Sequence, residues 1–268
     1  MRSARQQPPS LTVSEQVAGT QTIARSLSVL RLLRDAEDDL GVTEIARALG
    51  LNASTTHRIL KALVAAGYVA QNRHSERYRL GREAFLLGHA ARRTLGLDAA
   101  MPLLERLAED TGESVNLVIR DGESALVVLR VESKQPLRFT QPVGTRIPLY
   151  CTSSGKALLA FAGDIRAEVA RIGTPRRLTP ATITSPDDLL GDLAETRERG
   201  FSVNRAERLP GVCGIAAPVL DVDGRAIAAL AVQGPQVRIT DDRIPALGAM
   251  VTETAEAVRA AMPVGYQL

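Results

Sequence analysis

Apolar residues first recur at helical spacing from about residue 20. Ile23, Leu27, Leu30 and Leu33 fall three or four apart, with Arg25, Arg31 and Arg34 between them, which predicts an amphipathic helix. The acidic run 35–39 ends it in a solvated turn. Residues 1–17, rich in Gln, Ser and Pro, carry no sustained apolar period and read as a flexible arm. A short helix is predicted over 42–50. Thr43 suits its N-cap, Glu44 suits the positive end of the helix dipole, and Gly50 suits a left-handed stop. Asn52 is placed to cap a third helix over 53–66, which Gly67 stops. Two short helices joined through a turn containing glycine form the pattern of a helix-turn-helix.

The period then changes. Residues 68–71 and 78–80 have strand character around the polar turn 72–77, a hairpin or wing. Residues 82–95 return to helical composition, with Ala84, Phe85, Leu87 and Ala91 on or near one face, and read as a connecting helix. Beyond it a helix is predicted over 101–108, ended by Thr111-Gly112. Strands over 114–120 and 124–131 meet at Asp121-Gly122-Glu123 as a hairpin, and 137–141 is a candidate third strand. Helices are expected over 153–161, 187–199 and 241–262, and a second hairpin over 215–222 and 226–233. Strand pairs on tight turns, flanked by helices, define an α+β chain. The divisions are a winged helix-turn-helix over 18–81, a linker helix over 82–97 and a mainly antiparallel domain over 98–268.

Composition sharpens this. Of 268 residues, 45% are hydrophobic and 24% charged, a globular balance that excludes wholesale disorder. No apolar run reaches the ~18 residues of a membrane span. The first residues lack an apolar core, so no secretory signal is expected. Cys151 and Cys213 alone make no disulfide framework and no multi-cysteine zinc site, and a cytoplasmic protein is the expectation. The net charge of +3 conceals a split. Residues 1–96 carry 14 Lys/Arg against 8 Asp/Glu, and residues 97–268 carry 19 against 22. One end is therefore suited to a polyanion.

On helix 53–66, Thr56, Ile59, Leu60, Leu63 and Val64 share one face and are expected inward. Ser54, Thr55, His57, Arg58 and Lys61 are left outward, a surface suited to a DNA major groove. Arg can bridge guanine O6 and N7, whereas Lys is better suited to a phosphate, which positions without specifying. The wing adds Arg73, Arg77 and Arg79 with His74, and Arg25 lies on the first helix. Between Ser54 and Arg82 six Lys/Arg stand against one acid, Glu76. His57 either contacts DNA or packs and caps within its own domain.

With these segments in place, the chain resembles the IclR-type bacterial transcription regulators. The resemblance is carried by Thr22-Ile23-Ala24-Arg25-Ser26-Leu27, by 43–50 and by 54–63 in the front part. In the back part it is carried by 144–149 leading into 152–160, by 199–204 with Glu207, by Gly211 through 215–219, and by 228–235. It spans about residues 20–260 and implies a GAF-like, mainly antiparallel α/β effector-binding domain. It further implies a double-stranded DNA operator, a small organic acid as effector, and a homodimer or a tetramer of paired dimers, with no membrane contact. The pocket it implies contains Phe139, Ile147, Ser153, Ser154 and Asn204, together with Val212, Gly214, Ala231 and Gln233. Family members that bind small keto acids tend to carry Ser near the last two positions. Ala231 and Gln233 depart from that, and Phe139 and Ile147 tolerate a larger, flatter, aromatic acid.

An enzyme is disfavoured by the residues themselves. A phosphate-binding loop needs Gly-x4-Gly-Lys-Ser/Thr, but Tyr150 and Ala157 stand at its ends. His57, His74 and His89 all lie in the front part, so no histidine base accompanies Cys151, Cys213 or Ser154. No catalytic residue, metal or cofactor is expected. Thr152 or Ser153 can cap the helix beginning near Ser154, whose free N–H groups and hydroxyls suit either a carboxylate or an ordinary capped start. Two other classes stay open: a winged helix that docks protein, and an enzyme with a winged-helix appendage.

Overall fold

The computed structural model describes residues 20–262, so the arm expected over 1–17 lies outside the described residues. The described residues divide into two compact units, with the boundary between Ala91 and Arg92. In the first, α1 (Gln21–Asp35), α2 (Val42–Leu49) and α3 (Ala53–Ala65) pack on one another. An antiparallel hairpin of β1 (Val69–Gln71) and β2 (Tyr78–Leu80) follows. Val29, Leu33, Ile45, Ile59, Leu60, Val69 and Tyr78 form the core.

Three local expectations are corrected here. On α1 the buried side chains are Val29 and Leu33, while Ile23 and Leu27 are exposed, because this small core covers only the C-terminal half of the helix. On α2 the cap is Gly41, not Thr43. The Gly41 N–H donates to Glu44 Oε2 at 2.7 Å, so Glu44, three residues into the motif, reaches back to close the terminus. On α3, Thr56, Ile59 and Leu60 are buried and Leu63 packs partly, but Val64 lies past the edge of the contact face and is exposed.

Asn52 caps α3 as expected, its Oδ1 accepting from the Thr55 N–H at 2.7 Å. Asn52→Ala is expected to cost ~1 kcal/mol of local stability. Amide exchange in the first turn of α3 should quicken accordingly. Unchanged exchange would mean that packing alone holds this terminus.

Helix α4 (Arg82–Thr94) crosses the division between the units, and none of its described side chains is buried. Phe85, Leu86 and Leu87 stand exposed, with the Phe85 ring stacked on His89.

The second unit contains α5 (Leu97–Thr111), β3 (Ser114–Asp121), β4 (Ser124–Val131), β5 (Arg146–Pro148) and α6 (Ser153–Ala160). It continues with α7 (Ile165–Ile172), α8 (Pro186–Arg199), β6 (Ser202–Arg205), β7 (Val212–Leu220), β8 (Ala226–Pro235) and α9 (Ile244–Ala261). The described strands form one six-stranded sheet in the order β5-β4-β3-β8-β7-β6, antiparallel throughout. Alternation along the strands serves two layers. Val115, Leu117, Leu230 and Val232 pack on Leu104 and Leu107 of α5 and Val251 and Val258 of α9. Val118, Ala216, Ala229 and Ala231 face Leu158 and Leu159 of α6, backed by Val169 and Leu193.

Helix α5 begins a turn before the expected residue 101, with Pro102 inside it, because Leu97 and Ala100 are buried and hold the extra turn. Residues 137–141 form no strand. Ser114 Oγ donates to the Phe139 carbonyl at 2.7 Å and pins this segment as a loop, and the edge position on β4 goes to β5. Helix α9 starts at Ile244, three residues later than expected, after a turn over 241–243. Helix α7 and strands β5 and β6 lie outside the elements that the sequence pattern predicts.

Candidate DNA interface and ligand cleft

On α3, Ser54, His57, Arg58 and Lys61 are exposed and Thr55 is half-buried. Arg58 and Lys61 make no ion pair or hydrogen bond among the described residues, so their charge is available to an external anion. The Ser54 hydroxyl donates to Asn52 Oδ1 at 3.0 Å. In the hairpin, Asn72 Oδ1 accepts from the His74 and Ser75 N–H groups and fixes the turn, leaving Arg73 exposed beside it and Arg79 exposed on β2.

Arg77 is placed differently. Its Nε donates to the Asp39 carbonyl and its Nη2 to Glu44 Oε2, both at 2.7 Å. It ties the hairpin to the start of α2, and its charge is matched there. The Gly41 N–H, followed by Arg77, holds the Glu44 carboxyl below its ordinary range. Arg25 is half-buried on α1.

In the second unit, the sheet face under α6 carries two rows across four strands. Ser114, Gln233, Gly214 and Asn204 lie side by side, and the next row is Asn116, Ala231, Ala216 and Ser202. The start of α6 comes down onto these rows, and Ser202 Oγ donates to the Ser153 carbonyl at 2.5 Å. A Cβ at position 214 would stand 2.8 Å from Ser153 Oγ, so glycine is what permits the approach. The cap of α6 is Thr152, whose Oγ1 accepts from the Gly155 N–H and donates to the Pro148 carbonyl. Because Thr152 does the capping, the hydroxyls of Ser153 and Ser154 are spare. Among the described residues both are buried without a hydrogen-bond partner, as are both ends of the Asn116 amide. Buried polar atoms in native proteins are almost always paired, and each left dry costs ~1–3 kcal/mol.

A cleft opens here, lined by Phe139, Thr152, Asn204, Arg208, Leu209, Val212, Cys213 and Gln233. Its cavity of about 10 Å³ has room for about one water. Of the expected pocket residues, Phe139, Asn204, Val212 and Gln233 line the cleft, Ser153 and Gly214 adjoin it, and Ala231 lies one row away. Ser154 shares the first turn of α6. Ile147 is elsewhere, in the core with Val118, Leu149 and Leu159. Sequence reasoning missed Arg208 and Leu209, which sit in an aperiodic loop, Thr152, read only as a possible helix cap, Cys213 on β7, and Asn116, one polar residue inside an apolar strand.

Behind the cleft Lys156 is fully buried, its Nζ 2.7 Å from Glu207 and 3.1 Å from Asp192. Glu207 also fixes the loop through its backbone. Its N–H donates to Asn204 Oδ1 at 2.8 Å, and its carbonyl accepts from the Thr179 and Thr182 hydroxyls. Burial raises the Glu207 carboxyl above its ordinary range against the pull of Lys156. Burial also pushes the Cys151 thiol to about 11 and the Cys213 thiol upward, so both stay protonated at neutral pH. Among the described residues no cluster of three His, Cys, Asp or Glu is placed to hold a metal, and no helix is long and apolar enough to cross a membrane.

A winged helix-turn-helix with unpaired cations on its third helix, followed by a sheet domain with a polar cleft, defines a two-domain DNA-binding regulator. Comparison with known proteins agrees. Residues 22–73 match the IclR helix-turn-helix domain, and residues 90–260 match the bacterial transcriptional regulator IclR C-terminal domain. The chain is 37% identical over 244 residues to the HTH-type transcriptional regulator BhcR of Paracoccus denitrificans, covering 90% of this chain and 87% of that one. It is 32% identical over 256 residues to the transcriptional repressor IclR of Escherichia coli, covering 93% of each. A crystal structure of an IclR homolog from Microbacterium hydrocarbonoxydans, complexed with 4-hydroxybenzoate, superposes with a TM-score of 0.79 at 26% identity. That match covers 90% of this chain and 98% of the other. The chain belongs to the IclR family of DNA-binding transcriptional regulators.

Proposed function

We propose that the chain binds two operator half-sites as a homodimer and that a small organic acid, aromatic in character, changes its hold on DNA from the cleft of the second unit. The functional divisions are the arm over 1–17, the winged helix-turn-helix over 18–81, the linker over 82–97 and the effector domain over 98–268. Ser54, Thr55, His57 and Arg58 read bases or the groove edge, while Lys61, Arg73 and Arg25 meet phosphate. Arg77 serves the same surface by holding the wing in place. Half-sites are expected about one helical turn apart, ~34–36 Å, or a multiple of it. A second copy covers the exposed apolar side chains of α1 and α4, Ile23 and Leu27 with Phe85, Leu86 and Leu87. Pairing of dimers into tetramers is a further step of the same assembly.

The observation that carries the effector reading is the pair of buried, unpartnered hydroxyls of Ser153 and Ser154 above a polar floor. Phe139 offers a ring to one side, and the homologous structure with 4-hydroxybenzoate supports an aromatic acid. The ligand acts only as far as it binds two arrangements of the protein unequally.

The test is capture of source-genome DNA fragments by the full chain, followed by release with benzoate, 4-hydroxybenzoate, pyruvate and glyoxylate. Steeply salt-dependent capture, with release by the aromatic acids at the lowest concentrations, is expected. Tight capture that no acid alters would remove the sensor half. Weak capture with shallow salt dependence would favour a winged helix that docks protein.

A further inference from the structure

Many arginines of the second unit are matched to carboxylates: Arg120 to Glu168, Arg146 to Asp121, Arg205 to Asp241 and Arg238 to Glu113. Arg208 is not. It lies in the loop between β6 and β7, half-buried on the wall of the cleft, and makes no hydrogen bond or ion pair among the described residues. Its neighbour Glu207 gives its carboxylate to Lys156. Partial burial pulls the Arg208 guanidinium below the ordinary arginine range, which reports the cost of a desolvated cation without a counter-charge. The same cleft adjoins the first turn of α6, where the spare hydroxyl of Ser153 is buried; the Thr152 cap takes the Gly155 N–H, and the N–H groups of Ser153 and Ser154 before it have no intrahelical acceptor. An unmatched cation, unpaired donors and a helix N-terminus converge on one small volume, and each favours negative charge there.

We propose that Arg208 is the counter-charge for a carboxylate held between its guanidinium and the first turn of α6. This rests on the reading of the cleft as the effector site, and it names the residue that makes the cleft choose acids over neutral molecules of the same shape. Because the cavity has room for about one water, an acid enters by displacing the part of the loop beyond Glu207, which carries Arg208 and the exposed Leu209. Glu207 stays anchored to Lys156 and Asn204, so the guanidinium can close over the carboxylate from a fixed base.

Calorimetric titration of the full chain with benzoate and with its uncharged isostere benzamide tests this. The wild-type chain should bind benzoate about tenfold or more tightly than benzamide. Arg208→Met keeps the apolar stem and removes the charge. It should lose on the order of tenfold or more in benzoate affinity while leaving benzamide unchanged, and Arg208→Lys should restore part of the loss. Benzoate affinity equal to wild type in Arg208→Met would overturn the role of Arg208 and leave the cleft as the effector site. If that variant fails to fold, the wild-type ratio still decides, because equal binding of benzoate and benzamide overturns the proposal. A wild-type chain that binds none of benzoate, 4-hydroxybenzoate and pyruvate would overturn both the cleft reading and the proposal.

Discussion

Lys156→Ala should destabilise the second unit by ~3–5 kcal/mol, the usual consequence of removing one partner from a buried ion pair. The Lys156 ammonium is wholly buried, and the substitution leaves Glu207, itself 5% exposed, with no cation in contact. Asp192 loses the same partner but is partly solvated, so Glu207 dominates the cost. The loss should depend on pH. The Glu207 carboxyl is already raised by burial above its ordinary value of 4.5, and without the opposing ammonium it rises further. A carboxyl with a raised folded pKa binds its proton more tightly in the folded state. Its contribution is therefore fully present below the unfolded pKa and is lost as pH climbs through the folded one. The deficit of Lys156→Ala should thus be smallest at acid pH and grow through the interval above 4.5. Adding Glu207→Gln should recover much of the stability at neutral pH, because a neutral amide removes the stranded charge. Urea unfolding of both variants across pH reads these outcomes, and a pH-independent deficit that Glu207→Gln leaves untouched would refute the account.

That ion pair also marks where sequence reading reaches its limit. Lys156 and Glu207 are 51 residues apart, and only the packing of α6 against the β6–β7 loop brings them together. Local chemistry was legible. Asn52 and Gly50 bracket their helices as their types require, and the two long hairpins follow from strand alternation broken by Asp-Gly turns. The rotation of α1 was not, since helical spacing predicts a helix but not how much of it a small core can cover, and Ile23 and Leu27 fall beyond that core. Arg77 reads as a wing cation in the sequence; its bond to the Asp39 carbonyl exists only once the hairpin folds back on α2. In the cleft, the resemblance supplied Phe139, Asn204, Val212 and Gln233, whereas Arg208 carries no periodic or motif signal. Ile147 shows the converse, a residue whose apolar character fits a pocket wall and a core equally well and which the core claims.

Arg58→Ala should weaken operator binding by ~1–3 kcal/mol, the range for loss of a bidentate base contact, and should relax the preference at one base pair. Arg58 is exposed on α3, close to the capped N-terminal turn where a recognition helix meets base edges, and among the described residues it has no partner to lose. Folding should therefore be unaffected, so the loss reads as recognition. Lys61 lies one turn further along on the same exposed side of the helix. Lys61→Ala should weaken all sequences alike and lower the slope of log affinity against log salt by about one, as expected for a single phosphate contact. Arg77→Ala provides the contrast. It breaks the ties to Asp39 and Glu44, so its effect on DNA should come with a loosened hairpin, visible as faster amide exchange in β1 and β2. Measured side by side on one operator and one scrambled duplex, the three variants separate base reading, phosphate attraction and support of the wing. Unchanged affinity in both Arg58→Ala and Lys61→Ala would mean that the outward face of α3 does not meet DNA.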